Sequence, residues 1–241
     1  MKILAIDSSG MTATVAVAED RKLIAEYSVN YKKTHSQTLL PMLDALREMT
    51  DLDLAGIDAI AVAGGPGSFT GLRIGSATAK GIGLALDKPL VHVPTLEGMA
   101  WNLWGSEDLI CPMMDARRSQ VYTGVYRFDR EGHLQVVCDQ MAVPVEEIIR
   151  LLNEKQEPVI LLGDGVPIYE ETISAQLTVP FRIAPAHLNA QRAGAAAVCA
   201  MDYVLQGKTE TAAQHKPDYL RASQAERERE ERLRAENKPE Q

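Results

Sequence analysis

The sequence predicts an α/β protein of two similar halves, each with three strands, a helix, a strand and a further helix in that order. Two observations carry this prediction. Each half opens with a buried apolar strand that ends in an aspartate, Asp7 in the first half and Asp115 in the second. Each half also places three strands in a row before its first helix, whereas a doubly wound α/β domain alternates strands and helices. The repeated order therefore indicates a duplicated fold.

The elements of the first half follow from the spacing of its apolar residues. Residues 3–6 and 59–63 are continuous apolar runs of strand length, which is typical of buried strands. Leu39, Leu43 and Leu46 fall on one stripe of a helix. The predicted elements are strands at 2–7, 12–18 and 22–29, a helix at 35–49, a strand at 58–63, a helix at 71–86, a strand at 90–93 and a helix at 95–104.

The second half repeats this pattern. Its predicted elements are strands at 109–114, 120–128 and 133–139, a helix at 144–154, a strand at 158–163, a short helix near 167–174 and a long helix at 189–206. We place the boundary in the loop near Ser106, which gives one domain at residues 1–105 and a second at 106–221. Residues 222–241 hold a single leucine and a dense run of Glu and Arg, which predicts a charged helix or tail.

Composition disfavours several classes of protein. The chain has 46% hydrophobic residues but no apolar run of the roughly 18 residues that a membrane span requires. Three widely spaced cysteines argue against a disulfide framework or a metal site and favour a reducing, cytoplasmic setting. The net charge of −8 disfavours independent binding to nucleic acid, because neutralising phosphates requires clustered Lys and Arg. A role on nucleic acid would therefore require a more basic partner.

A glycine-rich segment at residues 64–75 is the most distinctive feature of the sequence. It reads Gly-Gly-Pro-Gly-Ser-Phe-Thr-Gly-Leu-Arg-Ile-Gly and joins a buried strand to a helix, a geometry that directs backbone N–H groups at an anion. The two common phosphate-binding fingerprints are nevertheless absent. Leu72 and Arg73 stand where a P-loop requires Lys and then Ser or Thr, and Thr70 stands where a dinucleotide motif requires glycine.

This segment resembles the signature of the TsaB (YeaZ) family, which is related to the glycoprotease-like proteins TsaD and Kae. Shorter segments agree with the resemblance, at residues 3–7, 35–37, 40–42, 93–96, 115–117 and 219–221. The resemblance implies the fold of the actin and sugar-kinase (ASKHA) superfamily. In that superfamily two such domains clamp a nucleotide, and the first-strand aspartates of both domains face the cleft.

The nucleotide-binding residues that the resemblance implies are Asp7, Ser8, Ser9, Asp115 and Arg117. The usual glycine is displaced by one position after the first aspartate and is absent after the second, where an alanine and two arginines follow. A close backbone approach to phosphate needs glycine. We therefore expect no cofactor on the isolated chain, and ATP or ADP only in a complex.

The sequence predicts no catalytic residue and no metal ligand. No two of the five histidines lie within ten residues of each other, so the H-x-x-x-H pair of the catalytic relatives cannot form on a helix. The G-x-S-x-G elbow of serine hydrolases is also absent, because Ser68 has the wrong register between Gly67 and Gly71. The cleft resembles an active site that has decayed.

A surface for a related subunit is predicted on the helices 35–49 and 71–86. The predicted interface consists of Leu39, Leu43, Phe69, Gly71, Gly75, Ala79 and Gly83. The last four recur at every fourth position and form a flat ridge. Each glycine inside a helix costs roughly 0.5–1 kcal/mol relative to alanine, so the ridge needs a packing reason. The alternative is that both helices cover their own sheet.

The resemblance implies a function in tRNA modification. With a TsaD-like paralogue and a TsaE-like ATPase, a TsaB-like chain supports transfer of a threonylcarbamoyl group from its adenylate to adenosine in the tRNA anticodon loop. The chain would reach tRNA only through that complex. We expect a non-catalytic scaffold subunit that pairs with the TsaD-like transferase and can also form a homodimer. The rival hypotheses are a free-standing glycoprotease-like hydrolase and a small-molecule kinase.

Overall fold

The computed structural model describes residues 1–221, which form two five-stranded sheets with helices on their faces. The first half contains β1 (Lys2–Asp7), β2 (Ala13–Glu19), β3 (Lys22–Val29), α1 (His35–Met49), β4 (Ala59–Gly65), α2 (Phe69–Leu86), β5 (Leu90–Pro94) and α3 (Thr95–Ala100). The second half contains β6 (Leu109–Arg117), β7 (Gln120–Phe128), β8 (Leu134–Pro144), α4 (Val145–Lys155), β9 (Val159–Leu162), α5 (Gly165–Ile168), α6 (Glu170–Gln176), β10 (Phe181–Ile183) and α7 (Ala193–Leu205). The charged segment predicted at 222–241 lies outside the described residues.

The two sheets share one topology. The first has the order β3-β2-β1-β4-β5, and the second, read through its equivalent strands, has the order β8-β7-β6-β9-β10. In each sheet the first three strands pair antiparallel. The remaining two strands are parallel to the central strand, which is β1 in one sheet and β6 in the other. The predicted duplication of an α/β unit is confirmed.

Different helices cover the two faces of the first sheet. On one face, α1 and α2 bury Leu39, Leu46 and Ala79 against the apolar side chains of β1, β2 and β4. On the opposite face, α7 packs an alanine-rich surface against small residues of the same strands, which lets helix and sheet approach closely. α3 lies between the two halves, where Leu96 and Met99 join the core under the second sheet.

α7 comes late in the chain but packs on the first sheet. Thr14 Oγ1 accepts a hydrogen bond from Ala193 N at 3.1 Å, and Glu26 Oε1 accepts one from Gly194 N at 2.8 Å. These side chains bind N–H groups that a helix start leaves without partners. Because Arg192 before them is extended, the helix begins at Ala193 and not at the predicted position 189. The expected second domain at 106–221 therefore includes a helix that belongs to the core of the first half.

Some helices and strands differ in detail from the prediction. The helix predicted at 167–174 is two short helices, and the helix predicted at 95–104 changes into a 3₁₀ turn at Trp101–Leu103. The sequence does not predict β10, because three residues carry too little periodicity to identify a strand. Within residues 1–221, none of the helices combines the length and the apolar character needed to cross a membrane.

Candidate functional site

The glycine-rich loop between β4 and α2 lies directly on the backbone that follows β1. Ser68 N donates to Ser9 O at 2.6 Å. A Cβ atom added to Gly67 would lie 2.4 Å from Ser9 O, and one added to Gly71 would lie 2.0 Å from Ser8 O. These separations are too short for any side chain, so both positions require glycine. The loop therefore holds the end of β1 and uses an N–H group that a phosphate-binding loop would present to a ligand.

Asp7 is buried beneath this loop. One carboxylate oxygen, Oδ1, accepts hydrogen bonds from Ser9 N at 2.8 Å and from Ser9 Oγ at 2.6 Å. Burial raises the pKa of Asp7 to about 6, although the hydrogen bonds from Ser9 act in the opposite direction. Ser8 Oγ donates to Gly71 O at 2.8 Å. Asp7 Oδ1 and the hydroxyls of Ser8 and Ser9 are therefore engaged within the chain.

The buried carboxylate gives a prediction about stability and pH. The pKa of Asp7 is higher in the folded protein, about 6, than the ordinary value of 3.8, so the folded state binds more protons between these values. Stability therefore falls as pH rises through this window. We expect Asp7→Asn to stabilise the protein by roughly 2–3 kcal/mol at pH 7 and to give no gain near pH 4. Urea unfolding across this pH range measures both values.

The matched control for this prediction is Asp139→Asn, which changes an exposed aspartate on β8. It should alter stability little at any pH. A gain from Asp7→Asn that is the same at pH 4 and pH 7 would contradict the assigned protonation behaviour.

In the second half, Asp115 and Arg117 lie at the hairpin between β6 and β7. Residues 117–119 have φ values of 63°, 55° and 57°, so three non-glycine residues occupy the left-handed region in succession. Asp115 Oδ1 accepts from Arg117 N at 2.9 Å, and its Oδ2 lies 3.2 Å from Arg117 Nη1. Asp164 Oδ1 accepts from Asp115 N. Asp115 is therefore held by its own neighbours, and long side chains occupy the turn where the resemblance implies glycine.

A cleft of about 560 Å³ separates the two halves. Of the five expected nucleotide-binding residues, Ser9, Asp115 and Arg117 line it. Asp7 and Ser8 lie below its surface, with 4% and 2% of their area exposed. The structure thus brings the two predicted aspartate segments to the same cleft, but only the second aspartate faces it.

The end of the described chain closes one side of the cleft. The ring centroids of Tyr219 and Phe69 lie 4.4 Å apart, and Arg73 Cζ lies 4.0 Å from the centroid of Phe69. Arg221 Nη1 donates to Ala116 O at 2.6 Å and so connects the C-terminal segment to the second half. The sequence does not predict Tyr219 and Arg221 as cleft residues, because nothing local to them indicates what they contact. Phe69, which the sequence predicts at a partner interface, lines this cleft.

The ridge on α2 faces the protein's own sheet. Gly71, Gly75, Ala79 and Gly83 are all buried. A Cβ atom on Gly75 would lie 2.6 Å from Ser8 Oγ, and one on Gly83 would lie 2.5 Å from Leu90 Cδ1. Leu39, also predicted at the interface, is 1% exposed in the core. The prediction that these residues meet a partner is therefore wrong, and the small residues serve close packing of helix on sheet.

The outward face of α1 and α2 carries a separate apolar groove, which we call the α1–α2 groove. Its cavity is about 520 Å³ and is lined by Leu4, Leu40, Pro41, Leu43, Asp44, Arg47, Leu52, Leu54 and Ile82. Leu40 is 60% exposed at its edge, and Leu84 of α2 is 69% exposed. A Cβ atom on Gly81, also on the outward side of α2, would meet no atom within 4 Å. Of the predicted interface residues, Leu43 is the one that lines this groove.

Among residues 1–221, two clusters of His, Asp and Glu side chains lie close enough together to hold a metal ion, and neither includes a residue of the cleft. One consists of His92, Glu210 and His215, and the other of Asp129, Glu131 and His133. Sequence spacing excludes a histidine pair on one helix, but the fold brings His92 and His215 together from distant parts of the chain.

Comparisons with known proteins agree on one family. Residues 22–229 match the family described as TsaD, tRNA N6-adenosine threonylcarbamoyltransferase. The tRNA threonylcarbamoyladenosine biosynthesis protein TsaB of Bacillus subtilis is 36% identical over 229 residues, which cover 94% of this chain and 96% of that protein. TsaB of Escherichia coli is 35% identical over 134 residues, or 55% of this chain and 58% of that protein. The structure of YeaZ from Pseudomonas aeruginosa is 26% identical with a TM-score of 0.76 and covers 91% of this chain and 99% of that one.

Proposed function

The chain belongs to the TsaB family of tRNA threonylcarbamoyladenosine biosynthesis proteins, and from this premise we propose that it is a non-catalytic scaffold subunit in that pathway. Its partner is a TsaD-like threonylcarbamoyltransferase, and a TsaE-like ATPase completes the assembly. Because the chain carries a net charge of −8, it contacts tRNA only through the complex.

The observation that carries this proposal is the engagement of both first-strand aspartates by the chain itself. Asp7 is buried and bound by Ser9, and Asp115 is bound by the backbone and guanidinium of Arg117. Among residues 1–221, neither aspartate belongs to a cluster of metal-ligand type, and the hydroxyl that contacts Asp7, that of Ser9, donates its proton to the carboxylate. A cleft whose aspartates are already bound within the chain fits a structural role beside the transferase better than a catalytic role.

The same contacts argue against the rival hydrolase. Ser8 Oγ donates to Gly71 O, and Ser9 Oγ donates to Asp7. His35, the histidine that lines the cleft, directs its Nε2 at Gly10 O at 2.8 Å. No serine of the cleft has a hydrogen bond to a histidine base among residues 1–221, although a serine nucleophile requires one.

The α1–α2 groove is the docking surface in this proposal, and its occupant is the TsaD-like paralogue. The chain matches the TsaD family over residues 22–229, so the paralogue offers equivalent helices to pair with. The groove is apolar and rimmed by Asp44 and Arg47, an arrangement typical of an interface with a polar rim. A second copy of this chain would use the same helices to form a homodimer when the paralogue is absent.

The reconstituted modification reaction tests the proposal. With the transferase, the ATPase, tRNA and the reaction substrates present, we expect adenosine modification to require this chain. Asp115→Asn should support the reaction as well as the unchanged protein, because the amide oxygen still accepts from Arg117 N. Loss of modification in Asp115→Asn, with pairing intact, would show instead that the cleft takes part in the chemistry.

Nucleotide binding provides a separate prediction. We expect millimolar Mg-ATP to leave the melting temperature of the isolated chain unchanged, because the loop after β4 is bound to Ser9 and the turn at 117–119 has no glycine. A ligand present at 100 times its Kd would stabilise the fold by about 2.7 kcal/mol. For a chain of this size that corresponds to a rise of roughly 5–10 °C. A rise of this size that Arg117→Ala abolishes would contradict the prediction.

A further inference from the structure

The segment that follows α7 returns along the first sheet and carries a cluster of metal-ligand residues. We call residues 206–221 the strap. Glu210 pairs with the edge of β5 through two backbone hydrogen bonds with Leu90, of 2.8 and 2.9 Å. The side chain of Glu210 thereby comes close to His92 of β5 and His215 of the strap. One ligand atom from each of these three residues lies within 4.8 Å of the other two.

His215 has a buried nitrogen without a partner. The residue is 1% exposed, and its Nδ1 lies 2.7 Å from Glu210 Oε1. Its Nε2 is buried and has no hydrogen-bond partner. A buried polar atom without a partner destabilises the fold, because it has lost its hydrogen bonds to water.

His92 supplies the second imidazole. Its ring lies against Gly64, where an added Cβ atom would come 2.1 Å from His92 Cε1, so glycine at this position makes room for the ring. The ring centroids of His92 and His215 are 5.6 Å apart.

We propose that His92, Glu210 and His215 bind a divalent transition-metal ion of the zinc class. Two imidazole nitrogens and one carboxylate oxygen are a common ligand set for Zn²⁺. Around an ion with ligands at about 2 Å, tetrahedral geometry puts ligand atoms about 3.3 Å apart, so small side-chain movements from the present positions form the site. Asp218, whose Oδ2 lies 3.3 Å from His92 Nε2, is the nearest further carboxylate.

The ion would fasten the strap to the first half. Besides the pairing of Glu210 with Leu90, two hydrogen bonds already hold it there: Lys80 Nζ donates to His215 O at 3.1 Å, and Asp218 N donates to Gly64 O at 2.6 Å. The residues directly beyond carry Tyr219 and Arg221 to the cleft. Metal binding would therefore stabilise one wall of the cleft. This proposal does not depend on the proposed function.

Titration of the chelator-treated full-length chain with Zn²⁺, and with Co²⁺ as a spectroscopic probe, tests the site. We expect one ion per chain, a visible Co²⁺ absorption typical of nitrogen and oxygen ligands, and a melting temperature raised by roughly 5 °C or more at saturation. His92→Ala should weaken Zn²⁺ binding at least about tenfold. The buried His215 could be replaced in the same way, but His215→Ala is the variant more exposed to a loss of folding. His92 lies at the edge of the sheet and is partly exposed, so His92→Ala tests metal binding even where His215→Ala does not fold.

The second cluster provides the matched control. His133 lies beside Asp129 and Glu131 in an exposed turn, and 59% of its side chain is exposed. His133→Ala should leave the stoichiometry, the affinity and the Co²⁺ spectrum unchanged. Absence of stoichiometric binding, or binding that survives His92→Ala and is lost in His133→Ala, would overturn the proposed site.

Discussion

Gly71→Ala is expected to destabilise the protein severely, whereas the same substitution at Gly81 of the same helix is expected to stabilise it. A Cβ atom at Gly71 would lie 2.0 Å from the backbone oxygen of Ser8, which cannot rotate away as a side chain would. Relief requires α2 to move off its sheet, with a loss of about 3 kcal/mol or more. At Gly81 the added methyl group meets no atom within 4 Å, and alanine favours the helix by roughly 0.5–1 kcal/mol.

Urea denaturation of both variants at one pH decides between the two packing arrangements of α2. If Gly71→Ala unfolds at the same urea concentration as Gly81→Ala, the ridge does not pack on the sheet.

Leu40→Asp is expected to abolish pairing with the TsaD-like paralogue while the isolated chain stays folded. Leu40 lines the α1–α2 groove and is 60% exposed, so the monomer loses little packing when it is replaced. In a complex the introduced carboxylate would be buried in an apolar contact beside Asp44, and the nearby Arg47 is already paired with Asp44 at 3.1 Å. We expect an affinity loss of at least about 30-fold, as for an interface hot spot of 2 kcal/mol or more.

Leu205→Asp is the control for this experiment. Leu205 ends α7 and is 77% exposed, which makes it as accessible as Leu40 but on a different surface. The Leu205→Asp variant should pair with the paralogue as the unchanged chain does. If Leu40→Asp paired normally and Leu205→Asp did not pair, the interface would lie elsewhere on the chain.

The order of strands and helices along the chain, and its repetition in the second half, could be predicted because both rest on local patterns. The apolar runs of β1 and β4 identify buried strands by themselves, and the two aspartates mark equivalent points in both halves. Features that depend on contacts between residues distant in the sequence could not be predicted from such patterns. β10 is three residues long, and the start of α7 depends on Thr14 and Glu26, which no pattern near Ala193 reveals.

The ridge shows the same limit at the candidate site. Small residues at every fourth position predict that a backbone approaches α2 closely, and the structure confirms a close approach. The spacing carries no information on whether that backbone belongs to the same chain. Gly71 and Gly81 are both glycines of one helix, yet one contacts Ser8 and the other faces outward. Likewise, His92 and His215 give no sign in the sequence that they meet.

The mass of the native assembly tests the scaffold proposal most directly. Measured for the chain alone, for the TsaD-like paralogue alone and for their mixture, it should show a stable complex of the two proteins in the mixture. Leu40→Asp should leave the two components separate, while Leu205→Asp should form the complex. Two independent species in the mixture of unchanged proteins, at concentrations where the reconstituted reaction proceeds, would contradict a scaffold that acts by pairing with the transferase.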